Sequence, residues 1–498
     1  GWNSSTISSI RMTIRETVIP TDEPWRPQML RNRERELSYL DTRYGSGRAE
    51  LVVLYGRRRV GKTTLVYHWV QDKPHVFFFA TQDDAATLLR RFSHLIRQVA
   101  GENPEPTFTY PDWEAALRAL VPLAREQRFI VVIDEFPRLV AAHPAIASYL
   151  QMVWDMELQH TQVFLVLTGS LLSVMRQQVL DPDAPLYLRH TWPFELKPLT
   201  VADLPAFFPT YAPAELVETY AVLGGMPYYL ISVDPTVDLL TNVRRAILEP
   251  TGPLFNEIPL QLHLEMRGMD VPLYMRILRA IAQGAHTRTE IMQAAALEGR
   301  NLSHYLLTLQ EMGLVVAQQP LERSGSRQRW ARYHLQDPFL RFWQRFVGPR
   351  QAELEIGHGQ DAVWHEIRLQ MPHVVAPIWE QIARWHLLRS AHQRGMPAVA
   401  EVGSWWSRQA QIDVVGVDRR SRSVVFGEAR WRQEPFTQRD LERLAERGQH
   451  WLRGSDAPWD VHYAIYACNL APGLRALAEQ ERNVHLFTPV EVVSASDA

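Results

Sequence analysis

The apolar positions in the first 200 residues form continuous runs rather than an alternating pattern. Four such runs, bounded by polar or glycine-containing segments, occupy residues 51–55, 75–80, 130–133 and 163–170. Short runs that are apolar on both faces are typical of buried parallel strands, and amphipathic helical patterns separate them. Strands that alternate with helices predict an α/β fold with a parallel sheet.

The first run leads into residues 56–63, which have the spacing G-x-x-x-x-G-K-T of a P-loop. The glycines let backbone N–H groups wrap a polyphosphate closely, and the following helix N-terminus adds partial positive charge. We expect Lys62 to contact the β- and γ-phosphates of ATP and Thr63 to bind Mg²⁺. The predicted nucleotide-binding residues are Gly56, Arg57, Arg58, Arg59, Val60, Gly61, Lys62, Thr63 and Thr64.

Lysine is rare in this chain, which makes Lys62 informative. The sequence has 53 lysines and arginines, and the lysines among them are Lys62, Lys73 and Lys197. A lysine in so arginine-rich a chain is expected where a planar guanidinium does not fit, as between two phosphate groups.

The third run ends in two carboxylates, Asp134 and Glu135. Because the carboxyl ends of parallel strands meet at one edge of a sheet, these side chains are expected beside the phosphates. We expect Asp134 to hold Mg²⁺ through water and Glu135 to polarise the attacking water. The fourth run ends in Thr168 and Ser170, whose hydroxyls would sense the γ-phosphate or, for Ser170, cap the next helix.

From residue 200 to 266 the pattern is helical with proline-marked turns, and we expect a helical lid. Residues 267–348 show three helical patterns and then two short strands around a turn at Ser324 and Gly325, the order of a winged helix. Such a module either packs between domains or places its third helix in a DNA major groove while its hairpin grips phosphates. The residues concerned are Asn301, Ser303 and His304 on the helix and Arg323, Arg327, Arg329 and Arg332 on the hairpin.

A second group of charged residues lies within residues 349–498. Asp413 falls in one strand pattern and Glu428 and Arg430 in the next, where the two-residue period places them on one face. This arrangement resembles that of restriction-endonuclease-like, PD-(D/E)xK-type α/β domains, in which two carboxylates bind Mg²⁺ at the scissile phosphate. The alternative is an ordinary β-hairpin with surface charges.

The motifs together resemble a known family. The segments ERELSYL, VVLYGRRRVGKTTL, VVIDEFPRL and LVLTGSLLSVM are similar to those of prokaryotic archaeal-type P-loop ATPases of the AAA+/STAND group. The resemblance implies ATP and Mg²⁺ as cofactors and Arg189 as a γ-phosphate sensor or finger. It also implies that a G-G-x-P segment, which ends here in Pro227, lies near the nucleotide base. Leu188 stands where a glycine is usual.

The resemblance extends to the C-terminal region, which is similar to the DUF234 domain of these proteins. The residues that match its pattern are Gly403, Trp405, Trp406, Ile412, Asp413, Glu428 and Trp431, with Glu380 and Gln438 at accessory positions. This chain has Arg430 where the family has a lysine. Because arginine keeps its proton near neutral pH, Arg430 can orient groups but hardly act as a base. The nuclease-like domain is therefore either active despite this change or inactive.

Composition limits the partners and the location. The formal net charge of −2 gives no general attraction to nucleic acid, so DNA binding must use local patches. A single cysteine, Cys468, excludes an intrachain disulfide framework and a cysteine-rich zinc site. We find no apolar run of membrane-span length and no signal-peptide pattern, and therefore expect a cytoplasmic protein without membrane contact.

These patterns predict five regions. They are an extension at 1–24, expected to be partly vector-derived before Met12, an ATPase core at 25–199, the lid at 200–266, the winged helix at 267–348 and the restriction-endonuclease-like domain at 349–498.

Two functions follow as hypotheses. The first is a switch ATPase whose winged helix and nuclease-like domain act on DNA. Its catalytic residues would be Lys62, Glu135, Arg189, Asp413, Glu428 and Arg430, and its metal ligands Thr63, Asp134, Asp413 and Glu428. The alternative is an ATP-gated regulatory or scaffold protein whose nuclease-like domain is inactive. ATP or ADP is a partner in both, and a homo-oligomer is left open.

Overall fold

The computed structural model describes residues 30–170, 172–266, 268–297, 301–322, 330–390, 395–453 and 457–494. The chain divides into two compact units, the first ending at Pro198 and the second beginning at Leu199. Three of the hairpin arginines named above, Arg323, Arg327 and Arg329, lie outside the described residues, as does the turn between them. None of the described helices is both long enough and apolar enough to span a lipid bilayer.

The first unit is built on a five-stranded sheet in which all neighbouring strands are parallel. Its strands are β1 (Glu50–Tyr55), β2 (His75–Phe79), β3 (Phe129–Asp134), β4 (Val163–Gly169) and β5 (Trp192–Glu195). Their order is β2-β3-β4-β1-β5. The predicted α/β class and parallel sheet are therefore confirmed, and β5 is a strand that the apolar runs did not indicate.

The helices of the first unit begin at residues that suit helix N-termini. Asp84 accepts a hydrogen bond from the backbone of Thr87, and Asp112 caps the following helix in the same way. The helices are α1 (Glu34–Tyr44), α2 (Lys62–Val70), α3 (Ala85–Val99), α4 (Trp113–Arg118), α5 (Leu120–Glu126), α6 (Phe136–Ala142), α7 (Ile146–Met156) and α8 (Leu172–Met175), with a 3₁₀ turn at Leu158–His160 and a π turn at Arg176–Leu180.

Aromatic side chains form part of the core between the sheet and these helices. The rings of Phe78 and Phe92 lie 5.1 Å apart, and those of Phe92 and Trp113 lie 5.5 Å apart. These side chains are almost completely buried. Each such burial contributes about 2 kcal/mol or more, so the sheet is a rigid base for the loops at its edges.

The second unit begins with helices. They are α9 (Pro213–Leu223), α10 (Pro227–Ile231), α11 (Leu239–Asn242), α12 (Glu257–Glu265), α13 (Val271–Ala282), α14 (Arg288–Ala294) and α15 (Leu302–Glu311), with a 3₁₀ turn at Val201–Ala206 and a π turn at Val243–Leu248. Two antiparallel strands follow, β6 (Val315–Gln318) and β7 (Arg332–Leu335). Three helices and a hairpin thus occur in the predicted order.

The remainder of the second unit is a mixed α/β fold. Its helices are α16 (Pro338–Phe346), α17 (Gln351–Glu355), α18 (Gln360–Ser390), α19 (Gln438–Leu452), α20 (Pro472–Gln480) and α21 (Pro489–Val493), with a 3₁₀ turn at Gly348–Arg350. Its strands are β8 (Glu401–Trp406), β9 (Gln411–Asp418), β10 (Ser423–Arg430), β11 (Asp460–Ala467) and β12 (Val484–Phe487), in the order β12-β11-β10-β9-β8. Strands β8 to β10 are antiparallel neighbours and β10 to β12 are parallel neighbours.

Candidate functional site

The loop between β1 and α2 needs glycine at two positions. Gly56 has a φ of 149°, and a Cβ atom there would lie 2.5 Å from the carbonyl oxygen of Leu196. Gly61, the residue before α2, has a φ of 96°. Residues other than glycine rarely adopt either backbone conformation. The backbone geometry of this loop therefore explains why both positions are glycine.

The ammonium group of Lys62 folds back over this loop. Its Nζ donates hydrogen bonds to the carbonyl oxygens of Gly56 at 2.9 Å and Arg57 at 3.0 Å. The side chain of Lys62 is buried, while Arg57, Arg58 and Arg59 are half-buried around it. The loop therefore concentrates positive charge and backbone N–H groups at the N-terminus of α2, which suits an anion.

Asp134 ends β3 and is completely buried. The Thr168 hydroxyl of β4 donates a hydrogen bond to its Oδ1. Burial and the neighbouring Glu135 raise the pKa of Asp134 to about 6, although hydrogen bonds from Thr168 and Thr63 and the charge of Lys62 act in the opposite direction. These contacts bring Lys62, Thr63 and Asp134 together as predicted.

The Asp134 carboxylate suits Mg²⁺ chemically. Its Oδ2 atom is buried and has no hydrogen-bond partner among the described residues. A buried carboxylate oxygen without a partner is costly unless a cation or water satisfies it. Thr63 and Asp134 are therefore suited to hold a hard cation, which prefers oxygen ligands.

Glu135 has a left-handed backbone, with φ 58° and ψ 45°, directly after β3. Its backbone N–H donates to the Thr168 hydroxyl at 3.2 Å, and the Ser170 hydroxyl donates to both of its carboxylate oxygens at 3.3 Å. Arg138 Nε lies 3.9 Å from the same carboxylate. The structure thus uses Thr168 and Ser170 to hold the two acidic residues. Strained conformations of this kind cluster at functional sites.

Sequence reasoning missed Arg33, a buried residue directly before α1. Its Nη2 donates to the carbonyl oxygens of Val60 at 3.3 Å and Lys197 at 2.9 Å, and its Nη1 pairs with Glu36 at 3.0 Å. The sequence signal was an arginine before the helix with a glutamate three residues later. That spacing alone does not indicate a contact with the P-loop.

The structure places Arg189 away from the P-loop. Its guanidinium pairs with Asp155 through two hydrogen bonds of 3.1 and 2.9 Å. Nearby, Thr191 N–H donates to the carbonyl of Leu51 at the start of β1, whereas the P-loop follows the end of β1. The two sites are therefore separated by roughly the length of a six-residue strand, about 15 to 20 Å. Arg189 is therefore not brought to the P-loop of its own chain, and its role as a sensor or finger stays a prediction.

Pro227 belongs to the second unit, where it is the buried first residue of α10. In the preceding segment, a Cβ atom on Gly225 would lie 1.8 Å from the carbonyl oxygen of Leu199. Gly224 has a φ of 67°. Close backbone packing within the second unit therefore explains the G-G-x-P segment, and its role at the nucleotide base stays a prediction.

In the C-terminal sheet, Asp413 and Glu428 face each other across β9 and β10. The last residue pair of this ladder is Val414 with Gly427, which places Asp413 opposite Glu428 in the next step. Burial and the charge of Glu428 raise the pKa of Asp413. The predicted pair of carboxylates is thus brought together.

Two guanidinium groups occupy both oxygens of Glu428. Arg430 Nη2 donates to Oε1 at 2.7 Å, and Arg447 of α19 donates to Oε2. Arg430 also pairs with Asp440 at 3.2 Å, and its guanidinium lies 4.5 Å from the centre of the Phe436 ring. A metal ion would have to displace these arginines.

The second carboxylate of the C-terminal site, that of Asp413, also has a hydrogen-bond partner in the protein. Asp413 Oδ2 accepts a hydrogen bond of 3.3 Å from the backbone of Ala429. Throughout the ranges that the structure describes, no three His, Cys, Asp or Glu side chains are grouped so that they could hold a metal. The expectation that Asp413 and Glu428 bind Mg²⁺ stays a prediction.

Glu380, at an accessory position on α18, belongs to the same cluster. Burial and the charge of Asp413 raise its pKa to about 7, while Arg384 lies 3.6 Å away. Arg384 also donates to the backbone carbonyl of Asp413 at 2.9 Å. Gln438 is the first residue of α19. The site is a network of carboxylates and arginines rather than an open acidic pocket.

The hairpin after the three helices packs on the C-terminal sheet. The Arg332 guanidinium lies 4.6 Å from the centre of the Trp406 ring and donates to the side chain of Gln411 at 3.1 Å. Leu321 N–H donates to the carbonyl of Ser404 on edge strand β8 at 2.9 Å. Arg332 is thus engaged inside the unit rather than displayed for phosphates.

The third helix, α15, presents polar residues at its N-terminus. Asn301 caps the helix, and the exposed Ser303 accepts a hydrogen bond from Arg288. His304 is exposed as well, whereas Trp405 and Trp406 on β8 are buried. The tryptophan pair therefore belongs to the packed interior and not to a base-stacking surface.

Comparisons with known proteins agree with the motifs. Residues 30–233 match the model of an ATPase domain found predominantly in Archaea, and residues 343–444 match DUF234, a domain of archaeal and bacterial proteins of unknown function. The uncharacterized protein MJECL04 of Methanocaldococcus jannaschii is 30% identical over 420 residues, which are 84% of this chain and 90% of that protein.

Two shorter or weaker similarities accompany these matches. The uncharacterized ATP-binding protein MJ0423 of the same organism is 44% identical over 45 residues, 9% of this chain and 76% of that protein. The Walker-type ATPase PABY2304 of Pyrococcus abyssi is 20% identical with a TM-score of 0.48, and the match covers 65% of this chain and 99% of that one. The chain belongs to the family of archaeal-type P-loop ATPases that carry a DUF234 domain in their C-terminal part.

Proposed function

We propose that this protein is an ATP-gated switch. The first unit binds and slowly hydrolyses ATP with Mg²⁺, and the second unit holds a partner, DNA or protein, without cutting it. The observation that carries the proposal is the convergence of Lys62, Thr63 and Asp134 at adjacent ends of β1, β3 and β4. The single cysteine suits a reducing compartment such as the cytoplasm.

Each residue of the P-loop site has a separate role in the proposed phosphoryl transfer. Lys62 exchanges its two carbonyl partners for phosphate oxygens, and the backbone N–H groups of the P-loop bind the same anion. Thr63 and Asp134 would hold Mg²⁺, which would supply positive charge beside the phosphates. Glu135 orients and polarises the attacking water after its carboxylate leaves the hydroxyl of Ser170.

The route from the nucleotide to the second unit starts beside Gly56. Leu196 N–H donates to the carbonyl of Tyr55 at 2.8 Å, so the chain that leaves the first unit runs against the start of the P-loop. A change in the P-loop on ATP binding would therefore act directly on the connection that ends at Pro198. This contact supports a switch rather than an ATPase without an output.

Arg189 fits this scheme only if a second copy of the chain takes part. Its guanidinium pairs with Asp155 near the N-terminal ends of the strands, whereas the P-loop lies at their C-terminal ends. The side chain of Arg189 is 32% exposed. An arginine in that position can stabilise phosphate charge in a neighbouring subunit but not in its own. A homo-oligomer is therefore part of the proposal.

The C-terminal domain is proposed to bind without cleaving. The two arginines on Glu428 occupy the positions where a nuclease would hold its metal, and Arg430 does not release a proton near neutral pH. The competing proposal is an active nuclease, favoured by the closeness of Asp413 and Glu428 on one sheet face.

Two assays on the full chain test the proposal. ATP hydrolysis is measured for the wild type and for Glu135→Gln, which keeps the shape of the side chain and is expected to bind ATP but not to turn it over. DNA binding is measured at several salt concentrations, because phosphate contacts weaken steeply with salt. ATP turnover in Glu135→Gln at the wild-type rate, or affinity for DNA and protein partners that ATP does not change, would contradict the proposed switch.

A further inference from the structure

Arg33 joins three segments that are far apart in the sequence. It lies directly before α1, and its side chain reaches the P-loop at Val60 and the exit of the first unit at Lys197. The residue is only 4% exposed. Burial of a guanidinium group costs free energy unless its N–H groups donate hydrogen bonds. The carbonyls of Val60 and Lys197 accept such hydrogen bonds from Arg33.

The contact with Val60 fixes the orientation of one peptide plane. In a trans peptide, the carbonyl of Val60 and the N–H of Gly61 point in opposite directions. Because Arg33 holds this carbonyl, the N–H of Gly61 points away from Arg33. Backbone N–H groups at the start of the helix that follows a P-loop are the groups that bind a phosphate.

The backbone on both sides of Val60 is left-handed. Arg59 has a φ of 71° and Gly61 a φ of 96°, so the residues on both sides of Val60 are in left-handed conformations. Such a turn can rotate its peptide planes at little steric cost at a glycine. An external donor that binds the Val60 carbonyl removes this freedom.

We propose that Arg33 is a positioning residue of the nucleotide site. It orients the Val60–Gly61 peptide for phosphate binding, and through the carbonyl of Lys197 it links this peptide to the segment that leads into the second unit. The inference rests on the proposed ATP binding at the P-loop. In this proposal Arg33 acts through the Val60–Gly61 peptide and not by direct contact with the nucleotide, so its effect concerns the phosphates that ATP and ADP share.

The role of charge alone can be separated from the role of geometry. Glu36 already pairs with Arg33, which reduces the net charge that Arg33 adds to the site. Arg33→Lys keeps one positive charge but cannot reach two carbonyls with a planar fork. Arg33→Met removes the donors and keeps an unbranched side chain in the buried space. Arg35→Met is the matched control, because Arg35 lies two residues away on the exposed surface and bonds with Tyr39.

The experiment measures the affinity of the full chain for ATP and for ADP by calorimetry, together with KM and kcat for ATP. Thermal unfolding without nucleotide reports the folding of each variant. In Arg33→Met we expect both affinities to fall about tenfold, by a similar factor for ATP and ADP, because one charge-assisted hydrogen bond carries the effect. KM should rise by that factor while kcat changes less, Arg33→Lys should recover part of the loss, and Arg35→Met should bind as the wild type does.

Folded Arg33→Met protein with wild-type affinity for both nucleotides would overturn the inference and leave the proposed ATPase intact. If Arg33→Met does not fold, Arg33→Lys decides: unchanged affinity overturns the inference, and a parallel loss for ATP and ADP supports it. A wild-type protein that binds neither nucleotide would overturn the proposed function and this inference with it. A loss confined to ATP would also contradict the inference, because the peptide serves the shared phosphates.

Discussion

Arg430 donates a hydrogen bond of 2.7 Å to Oε1 of Glu428. Arg430 stands at the position where the resembling family has a lysine. A guanidinium holds its proton and binds carboxylates with fixed geometry, so it stabilises Glu428 as an ion pair. The contact offsets part of the repulsion between the two carboxylates on this sheet face.

We predict that the protein does not cleave DNA. Labelled duplex, branched and single-stranded DNA, incubated with Mg²⁺ in the presence and absence of ATP, should give no more cleavage product than the same substrates with Asp413→Ala. The reason is that the carboxylate oxygens of Glu428 are held by Arg430 and Arg447. Cutting that disappears in Asp413→Ala would instead establish a nuclease and would contradict the binding role of this domain.

Replacing Glu428 should destabilise the second unit. Glu428→Gln leaves two partly buried arginines with a neutral partner, and we expect the free energy of unfolding to fall by about 1 to 2 kcal/mol in urea denaturation. Glu401→Gln is the control, because Glu401 pairs with Arg419 at an exposed site where a salt bridge contributes about 0 to 1 kcal/mol. Equal effects of the two substitutions would argue against a structural network at Glu428.

The contribution of His334 to the stability of the second unit should be lost as the pH falls below about 6.5, whereas Glu380, with its pKa raised to about 7, acts in the opposite direction. Burial and the charges of His286, Arg384, Arg341 and Arg332 lower the pKa of His334 to about 3. At His334 the unfolded chain therefore binds more protons than the folded chain between these pH values, and the stability that this residue contributes above pH 6.5 is lost as the pH decreases toward 3. At pH 5 the loss from this residue is at most about 2 kcal/mol.

His334→Gln should remove this contribution, so that the variant loses less stability than the wild type between pH 8 and pH 5, as measured by urea denaturation. The matched control is His358→Gln, since His358 is exposed in the same unit. If His334→Gln retains the wild-type slope, protonation of His334 is not the cause of the acid sensitivity.

Leu188 has a φ of 63° and is 79% exposed. A leucine in the left-handed region costs about 1 to 2 kcal/mol, which explains why glycine is usual in the resembling family. Glycine also increases the conformational entropy of the unfolded chain, which offsets part of the gain from relieving this strain. Leu188→Gly should therefore raise the free energy of unfolding by up to about 1 kcal/mol. Met156→Gly, an exposed residue at the end of helix α7, should lower it by up to about 1 kcal/mol. A loss of stability in Leu188→Gly would contradict this account.

The sequence was sufficient for elements whose signal is local. The apolar runs located β1 to β4, because parallel strands are buried on both faces, and the glycine spacing located the P-loop. Asp134 and Glu135 were found for the same reason, since they directly follow a strand whose end is fixed by the sheet. The two-residue period likewise placed Glu428 and Arg430 on one face.

Contacts that depend on distant segments could not be predicted. Arg33 and Lys197 are 164 positions apart, and Arg447 approaches Glu428 from a separate helix 19 positions away. The resemblance supplied a role for Arg189 but not its location. The sheet places Arg189 near the N-terminal ends of the strands, opposite the ends that lead into the P-loop. Strand β5 is short and alternates in burial, so it lacks the apolar run that marked the other strands.

The most direct test of the account is ATP hydrolysis by two lysine variants of the full chain. Lys62 lies in the P-loop, whereas Lys73 lies after helix α2, where its ammonium donates to the carbonyl of Trp69. We predict that Lys62→Met abolishes ATP turnover and weakens ATP binding, while Lys73→Met hydrolyses ATP at the wild-type rate. Turnover in Lys62→Met equal to that of Lys73→Met would show that the P-loop is not the catalytic site and would contradict the central claim.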